Sequence, residues 1–141
     1  MMKPAGNERY ETISHNGHRL TPQRREVYDV LLSERDHPTA TEVFLRAKSR
    51  MPSISLATVY NCLETLVDCG LAKQVNVERE ATRYCPNVQE HAHFVCDRCK
   101  KVFDVPFALG ERREQMWDLP SGFTVERCDV TLRGICSNCN T

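Results

Sequence analysis

No stretch of this chain approaches the ~20 consecutive apolar residues that a helix needs to cross a bilayer, which excludes a transmembrane helix. The opening MMKPAGNERYE lacks the apolar core of a secretory leader, and this predicts a cytoplasmic protein. Excess charge of either sign is also missing: Lys+Arg and Asp+Glu each number 19. Divided after Tyr84, the chain carries 12 basic and 11 acidic residues before the break, then 7 and 8 after it. No global basic field draws it to nucleic acid, so any DNA contact must come from a local patch. There are no internal repeats and no low-complexity tracts. With 141 residues, 40% of them hydrophobic and 27% charged, the chain reads as an ordinary globular protein of one compact domain or two small ones.

Cysteine, by contrast, is abundant, with eight residues. In the cytosol thiols stay reduced, and cysteine pairs more often hold metal than bridge. Cys96-Asp97-Arg98-Cys99 and Cys136-Ser137-Asn138-Cys139 are two C-x-x-C knuckles. Each can present two thiolates on one side of a tight turn, and two knuckles complete a tetrahedron. The 36 residues between them require a whole subdomain in the gap. A redox or disulfide C-x-x-C is the competing reading, but redox motifs seldom come in pairs. The spacing therefore predicts structural Zn(II) on Cys96, Cys99, Cys136 and Cys139. Of the other four, Cys62, Cys69 and Cys128 read as small buried hydrophobes.

The first two-thirds of the chain reads as helices followed by a hairpin. Glu8 to Asn16 is a short helix stopped by Gly17. Thr21-Pro22 opens a second helix, with Val27, Val30 and Leu31 inward. Thr39-Ala40-Thr41-Glu42 has capping-box spacing and opens a third, with Val43, Phe44 and Ala47 inward. Ser55 opens the strongest helix, in which Leu56, Val59, Tyr60, Leu63, Leu66 and Val67 follow helical periodicity up to Gly70. Leu71–Val77 and Ala81–Cys85, parted by Glu78-Arg79-Glu80, read as a hairpin. Helices followed by a two-stranded wing make a winged-helix pattern, although a small α+β domain with no DNA role would read alike.

From near Asn87 the pattern changes. His91 to Val95, Val102 to Val105 and Thr124 to Arg133 read as strands, and Leu109 to Trp117 as a helix. The expected fold is α+β: a winged-helix domain over residues 1–86, then a small α/β dimerisation domain over 87–141.

A second group of donors consists of His37, Cys85, His91, His93 and Asp104. His91 and His93 share one face of a strand, which suits chelation through imidazole nitrogens. A metal held by both parts of the chain would restrain their relative orientation. The bland alternative is a decorative histidine pair and a buried apolar thiol, and the residues alone leave both readings open.

On the strongest helix Leu56, Val59, Leu63 and Leu66 read as core. The opposite face carries Thr58, Asn61 and Thr65, and an Asn there can pair bidentately with adenine. Arg24 and Arg25 suit phosphate contacts. Glu64 and Asp68 make this helix acidic, so affinity must lean on flanking arginines and dimerisation.

Leu20-Thr21-Pro22-Gln23-Arg24, His37-Pro38-Thr39-Ala40 and Ser55-Leu56-Ala57-Thr58-Val59-Tyr60-Asn61 resemble the ferric uptake regulator family. So do His91-x-His93-x-x-Cys96-x-x-Cys99 and Gly134-x-Cys136-x-x-Cys139, so the likeness runs from Glu8 to Asn140. The helix opening and the His-Pro-Thr-Ala and Thr-Val-Tyr-Asn strings are most similar to the peroxide-sensing branch. The resemblance implies a homodimeric, metal-dependent repressor that binds a pseudo-palindromic operator in double-stranded DNA. It gives Tyr60 a DNA contact, Arg19 a basic position near the minor groove, and the four knuckle cysteines a structural zinc.

The same resemblance puts the hinge metal, Fe(II), Mn(II) or Zn(II), on His37, Cys85, His91, His93 and Asp104. Four of the five match the peroxide-sensing branch, but Cys85 stands where that branch has Asp. A thiolate there moves the site toward zinc-preferring chemistry, so a zinc-sensing repressor is the alternative; oxidation of Cys85 to a sulfenic acid is another route to a signal. A further metal site known in some members would need the positions held here by Ala92 and Cys128, and is expected to be absent. Rivals of other classes are a zinc-dependent hydrolase using an open metal position and a zinc-ribbon interaction module. No general base stands out beside the donors, and the expectation is that the protein is not an enzyme.

Overall fold

The computed structural model describes residues 6–107 and 117–140, in two compact units, Met1–Val88 and Gln89–Thr141. Among the described residues no helix is long and apolar enough to cross a membrane.

The first unit holds four helices and a hairpin: α1 (Gly6–His15), α2 (Pro22–Glu34), α3 (Ala40–Lys48), α4 (Leu56–Asp68), β1 (Lys73–Val75) and β2 (Arg83–Cys85). Three of the helices begin on hydroxyl caps. Thr21 Oγ1 accepts from the Arg24 N–H at 3.2 Å, Thr39 Oγ1 from Glu42 at 3.2 Å, and Ser55 Oγ from Thr58 at 3.1 Å. Each cap satisfies a backbone donor that has no partner inside its helix. Replacing Ser55 by Ala should cost ~1 kcal/mol of stability in a chemical denaturation, the usual price of a lost cap. At the far end of α4, Gly70 turns back with φ +74°, a conformation that a side chain would strain.

α2, α3 and α4 pack mutually around Val27, Tyr28, Leu31, Val43, Val59, Leu63 and Leu66, and Ile13 of α1 joins the same core. Leu63 is fully buried, so Leu63→Ala should destabilise the protein by ~2–5 kcal/mol. A denaturation midpoint unchanged by that substitution would be at odds with this packing.

The structure departs from the periodicity at both ends of α4. Leu56 is 38% exposed rather than core, whereas Thr65, expected on the open face, is buried. The angular positions are right, but the first turn projects past the buried layer. The C-terminal half is enclosed further round, with Cys62, Leu63, Thr65 and Leu66 all buried. Thr65 tolerates this because its hydroxyl donates to the Asn61 carbonyl at 3.1 Å.

The wing is shorter than expected, three residues a side, pairing antiparallel from Lys73↔Cys85 to Val75↔Arg83. Beyond it the chain turns at Val77–Glu80, with Arg79 left-handed at φ +64°.

Among its described residues the second unit holds a three-stranded sheet of β3 (His91–Cys96), β4 (Val102–Pro106) and β5 (Thr131–Gly134), in the order β4-β3-β5. β4 is antiparallel to β3, and β5 is parallel to it. The third strand was expected from Thr124 but spans only Thr131–Gly134. It exists where β3 offers a ladder, and the His93 N–H already bonds Val130 at the start of that ladder. Glu126, Arg127 and Asp129 before it are exposed. The expected helix from Leu109 falls, up to Met116, outside the described residues. Cys62 and Cys69 are buried as expected, but Cys128 is only half-buried.

Candidate metal centres and nucleic-acid face

The four knuckle cysteines converge through strand register. Parallel pairing sets Cys96, the last residue of β3, against Gly134 of β5, so the second knuckle leaves the sheet beside the first. A Cβ on Gly134 would lie 3.2 Å from the Phe94 ring, so a side chain there would need that ring to give by a few tenths of an ångström. The first turn closes through the Lys100 N–H to Cys96 O at 2.9 Å, with Lys100 left-handed, and the second through the Asn140 N–H to Cys136 O at 2.9 Å.

The four Sγ atoms lie within 4.8 Å of one another. Cys99 Sγ and Cys136 Sγ stand 3.8 Å apart. That is the edge, about 3.8 Å, of a tetrahedral site with ~2.3 Å zinc–sulfur bonds. None of the eight cysteines is in a disulfide.

The electrostatics point the same way. Backbone N–H groups of Cys136 and Cys99 pull the Cys96 thiol down to about 6, so it is a thiolate at neutral pH. Hydrogen bonding to Cys136, with burial, pushes Cys139 up to about 12. Four sulfurs this close cannot all ionise unaided; a divalent cation is what reconciles them. The donor set fits zinc, which when bound cross-links the two knuckles.

The second unit gathers three other donors. His91 Nε2 and His93 Nε2 are 3.0 Å apart, and Asp104 Oδ1 lies 3.2 Å from the first and 3.4 Å from the second. Asp104 sits directly across the ladder from His93, so strand register brings it there. His91 Nδ1 is 2.6 Å from the Gln89 carbonyl, which assigns the ring proton to Nδ1 and leaves the Nε2 lone pair aimed at the other donors. Two imidazoles and a carboxylate whose nitrogen and oxygen atoms converge suit Fe(II), Mn(II) or Zn(II).

In the first unit His37 and Cys85 are both buried, and their ligand atoms lie within 4.8 Å of each other. Cys85 ends β2, and the wing meets the His37 loop through a Thr39↔Arg83 bridge and the Tyr84 N–H to Pro38 O at 2.9 Å. His37 is left-handed at φ +57°. For a residue with a Cβ this costs ~1–3 kcal/mol and persists only where the surroundings impose it. An imidazole and a thiol are the softer half of the donor inventory.

On α4, Tyr60 is 51% exposed and Asn61 is exposed, so both can reach a groove. Thr58 is half-buried, and its hydroxyl is 2.8 Å from that of Ser55. Arg19 is exposed, while the half-buried Arg24 donates to the Arg19 carbonyl, which ties it to the loop before α2. Arg25 lies over the Tyr10 ring at 4.7 Å. Sequence reasoning passed over two contributors: the Gln89 carbonyl and Arg83. Both act through backbone carbonyl contacts, for which a residue string carries no signal.

The family model of the ferric uptake regulator family matches residues 15–133. A peroxide-responsive repressor of Staphylococcus epidermidis is 30% identical over 132 residues, 94% of this chain and 88% of that protein. The peroxide operon regulator of Bacillus subtilis is 30% identical over 133 residues, 94% of this chain and 92% of that protein. Among solved structures, the Campylobacter jejuni peroxide stress regulator superposes with a TM-score of 0.70 at 29% identity, covering 98% of this chain and all of that one. The Helicobacter pylori ferric uptake regulator superposes with a TM-score of 0.79 at 21% identity, over 100% of this chain and 98% of that one, and so shares the fold. With a family match over most of its length, and relatives at this identity spanning nearly the whole chain, the protein belongs to the ferric uptake regulator family.

Proposed function

We propose that the protein is a metal-dependent, DNA-binding transcriptional repressor that controls peroxide-stress or iron-homeostasis genes. The observation that carries this reading is the convergence of His91 Nε2, His93 Nε2 and Asp104 Oδ1 within 3.4 Å of one another, in a chain of this family. The roughly 30%-identical relatives named for peroxide response support the branch. Regulation rather than catalysis is the mode we assign, with the protein acting in the cytoplasm as a homodimer on a pseudo-palindromic operator.

In this reading Cys96, Cys99, Cys136 and Cys139 hold a permanent zinc. His37 and Cys85 from the first unit complete the donor set of His91, His93 and Asp104 for one regulatory ion. Binding it selects the arrangement of the two winged helices that fits two half-sites about one helical turn apart. Loss or oxidation of the ion releases DNA. Tyr60, Asn61 and Thr58 of α4 face the major groove, Arg19 lies near the minor groove, and Arg24 holds a backbone phosphate.

The buried thiol of Cys85 favours a second reading, zinc sensing, because thiolate selects softer ions. An anaerobic metal count after exposure to Fe(II), Mn(II) and Zn(II) together separates the two. One zinc plus one iron or manganese per chain supports the peroxide or iron reading, and two zincs support zinc sensing. A chain that retains no metal overturns both.

The DNA face has its own test. Asn61→Ala should cost ~1–3 kcal/mol against a duplex selected from a random pool, with discrimination relaxed at one A·T position. Unchanged affinity and unchanged base preference would remove Asn61 from the interface.

A further inference from the structure

The loop that carries His37 is clamped by charges the proposed function does not use. Arg46 of α3 grips Asp36 with both guanidinium nitrogens, at 2.8 and 2.7 Å. On the other side Arg83 of β2 donates from Nη1 to the His37 carbonyl at 3.0 Å. The same nitrogen is 3.7 Å from Glu42 Oε1, and Glu42 is in turn bonded to the Thr39 cap. Between these anchors the backbone turns left-handed at both Arg35 and His37, at φ +52° and +57°.

We propose that Arg83 is a positioning residue for the regulatory metal, fixing the His37 backbone so that its imidazole is presented beside the Cys85 thiol. This rests on the assignment of His37 and Cys85 as metal donors. Arg83 lies two residues before Cys85 on the same short strand, so one element supplies a donor and also holds the turn that supplies the other. A left-handed residue with a side chain relaxes when its restraint goes. Relaxation here rotates the whole side chain of His37 about its own backbone. The backbone links between wing and loop, the Thr39↔Arg83 bridge and the Tyr84 N–H to Pro38 O, do not involve the guanidinium and remain when it is removed.

The sign of the effect identifies its cause. A guanidinium close to a cation site repels the cation, and its removal also frees the Glu42 carboxylate. On charge alone, losing Arg83 would tighten metal binding. A positioning role predicts the opposite, because partners that orient a metal ligand are typically worth 10–100-fold in affinity.

The test is an anaerobic Co(II) titration of the full-length protein with its four-cysteine site already filled by zinc. Visible and near-ultraviolet absorption reads both affinity and thiolate coordination. Arg83→Met, which keeps the aliphatic stem, should weaken Co(II) binding by about 10-fold or more and reduce the thiolate-to-cobalt absorption. Zinc content and the thermal unfolding midpoint report that the fold is intact. Arg83→Lys, which keeps a donor and the charge, should recover part of the loss. Co(II) affinity in Arg83→Met equal to or tighter than the parent's overturns the proposal. His37→Ala in the same titration separates the two levels of the argument. If it abolishes high-affinity Co(II) binding while Arg83→Met does not, the positioning role fails and the donor assignment stands. If it leaves Co(II) binding at the parent's level, the donor assignment fails and the positioning role fails with it.

Discussion

Replacing His91 and His93 together by Ala is expected to abolish metal-dependent DNA binding and leave the fold and the structural zinc in place. Their Nε2 atoms stand 3.0 Å apart and share Asp104 Oδ1, so the pair supplies both nitrogen donors of the second unit. Removing both leaves that unit with one carboxylate, which holds a divalent ion weakly in water. The expected loss follows from what the ion contributes. Coupling between an effector and a second ligand is typically worth 5–150-fold, so operator affinity in the presence of metal should fall by that factor, to the metal-free value. Fluorescence anisotropy on a selected duplex, with and without added Mn(II), reads it. The zinc count should remain one per chain, because the knuckles hang on the opposite end of β3. A double variant whose DNA affinity still responds to metal would show that these histidines are not the regulatory donors.

The second large effect concerns the knuckles. Cys96→Ser combined with Cys136→Ser should cost the second unit its cooperative fold. Among the described residues its sheet has three short strands, with Ala92, Val95 and Val102 as the buried aliphatic residues. A unit of about 50 residues usually needs a staple. Structural zinc supplies ~10–16 kcal/mol of apparent folding free energy in zinc-finger peptides at neutral pH, more than the core of such a unit can offset. Hydrogen exchange should show residues 91–96 and 131–134 losing protection while Val59, Leu63 and Leu66 in the first unit keep theirs. The first unit has its own core with no knuckle cysteine in it. Full protection of β3 in a zinc-free variant would show that the sheet stands without its metal.

How much of this was legible in the chain follows from which features are local. The caps at Thr21, Thr39 and Ser55 were readable because hydroxyl, spacing and periodicity lie within four residues of one another. The four-cysteine site was readable because paired knuckles leave little else for the thiols to do. The pairing of His91 with His93 followed from strand alternation, but the place of Asp104 depends on which residue register sets opposite His93.

What could not be read depends on neighbours far away in sequence. Leu56 has the angular position of a core residue and lacks only a layer to cover it. Thr65 has the angular position of a surface residue at a level where the helix is enclosed. The strand expected from Thr124 begins only at Thr131, where its pairing with His93 of β3 starts. The left-handed backbone at His37 has no signature in the residue itself, being imposed by Arg83, Asp36 and the wing.

The account stands on metal controlling DNA binding. The measurement that tests it most directly is the affinity of the zinc-loaded protein for one selected duplex, with the regulatory site first empty and then filled by Fe(II) or Mn(II) under anaerobic conditions. The account predicts binding at least about 5-fold tighter when the site is filled, with reversal on chelation of the second ion alone. Equal affinity in the two states would contradict it, whatever metals the protein holds.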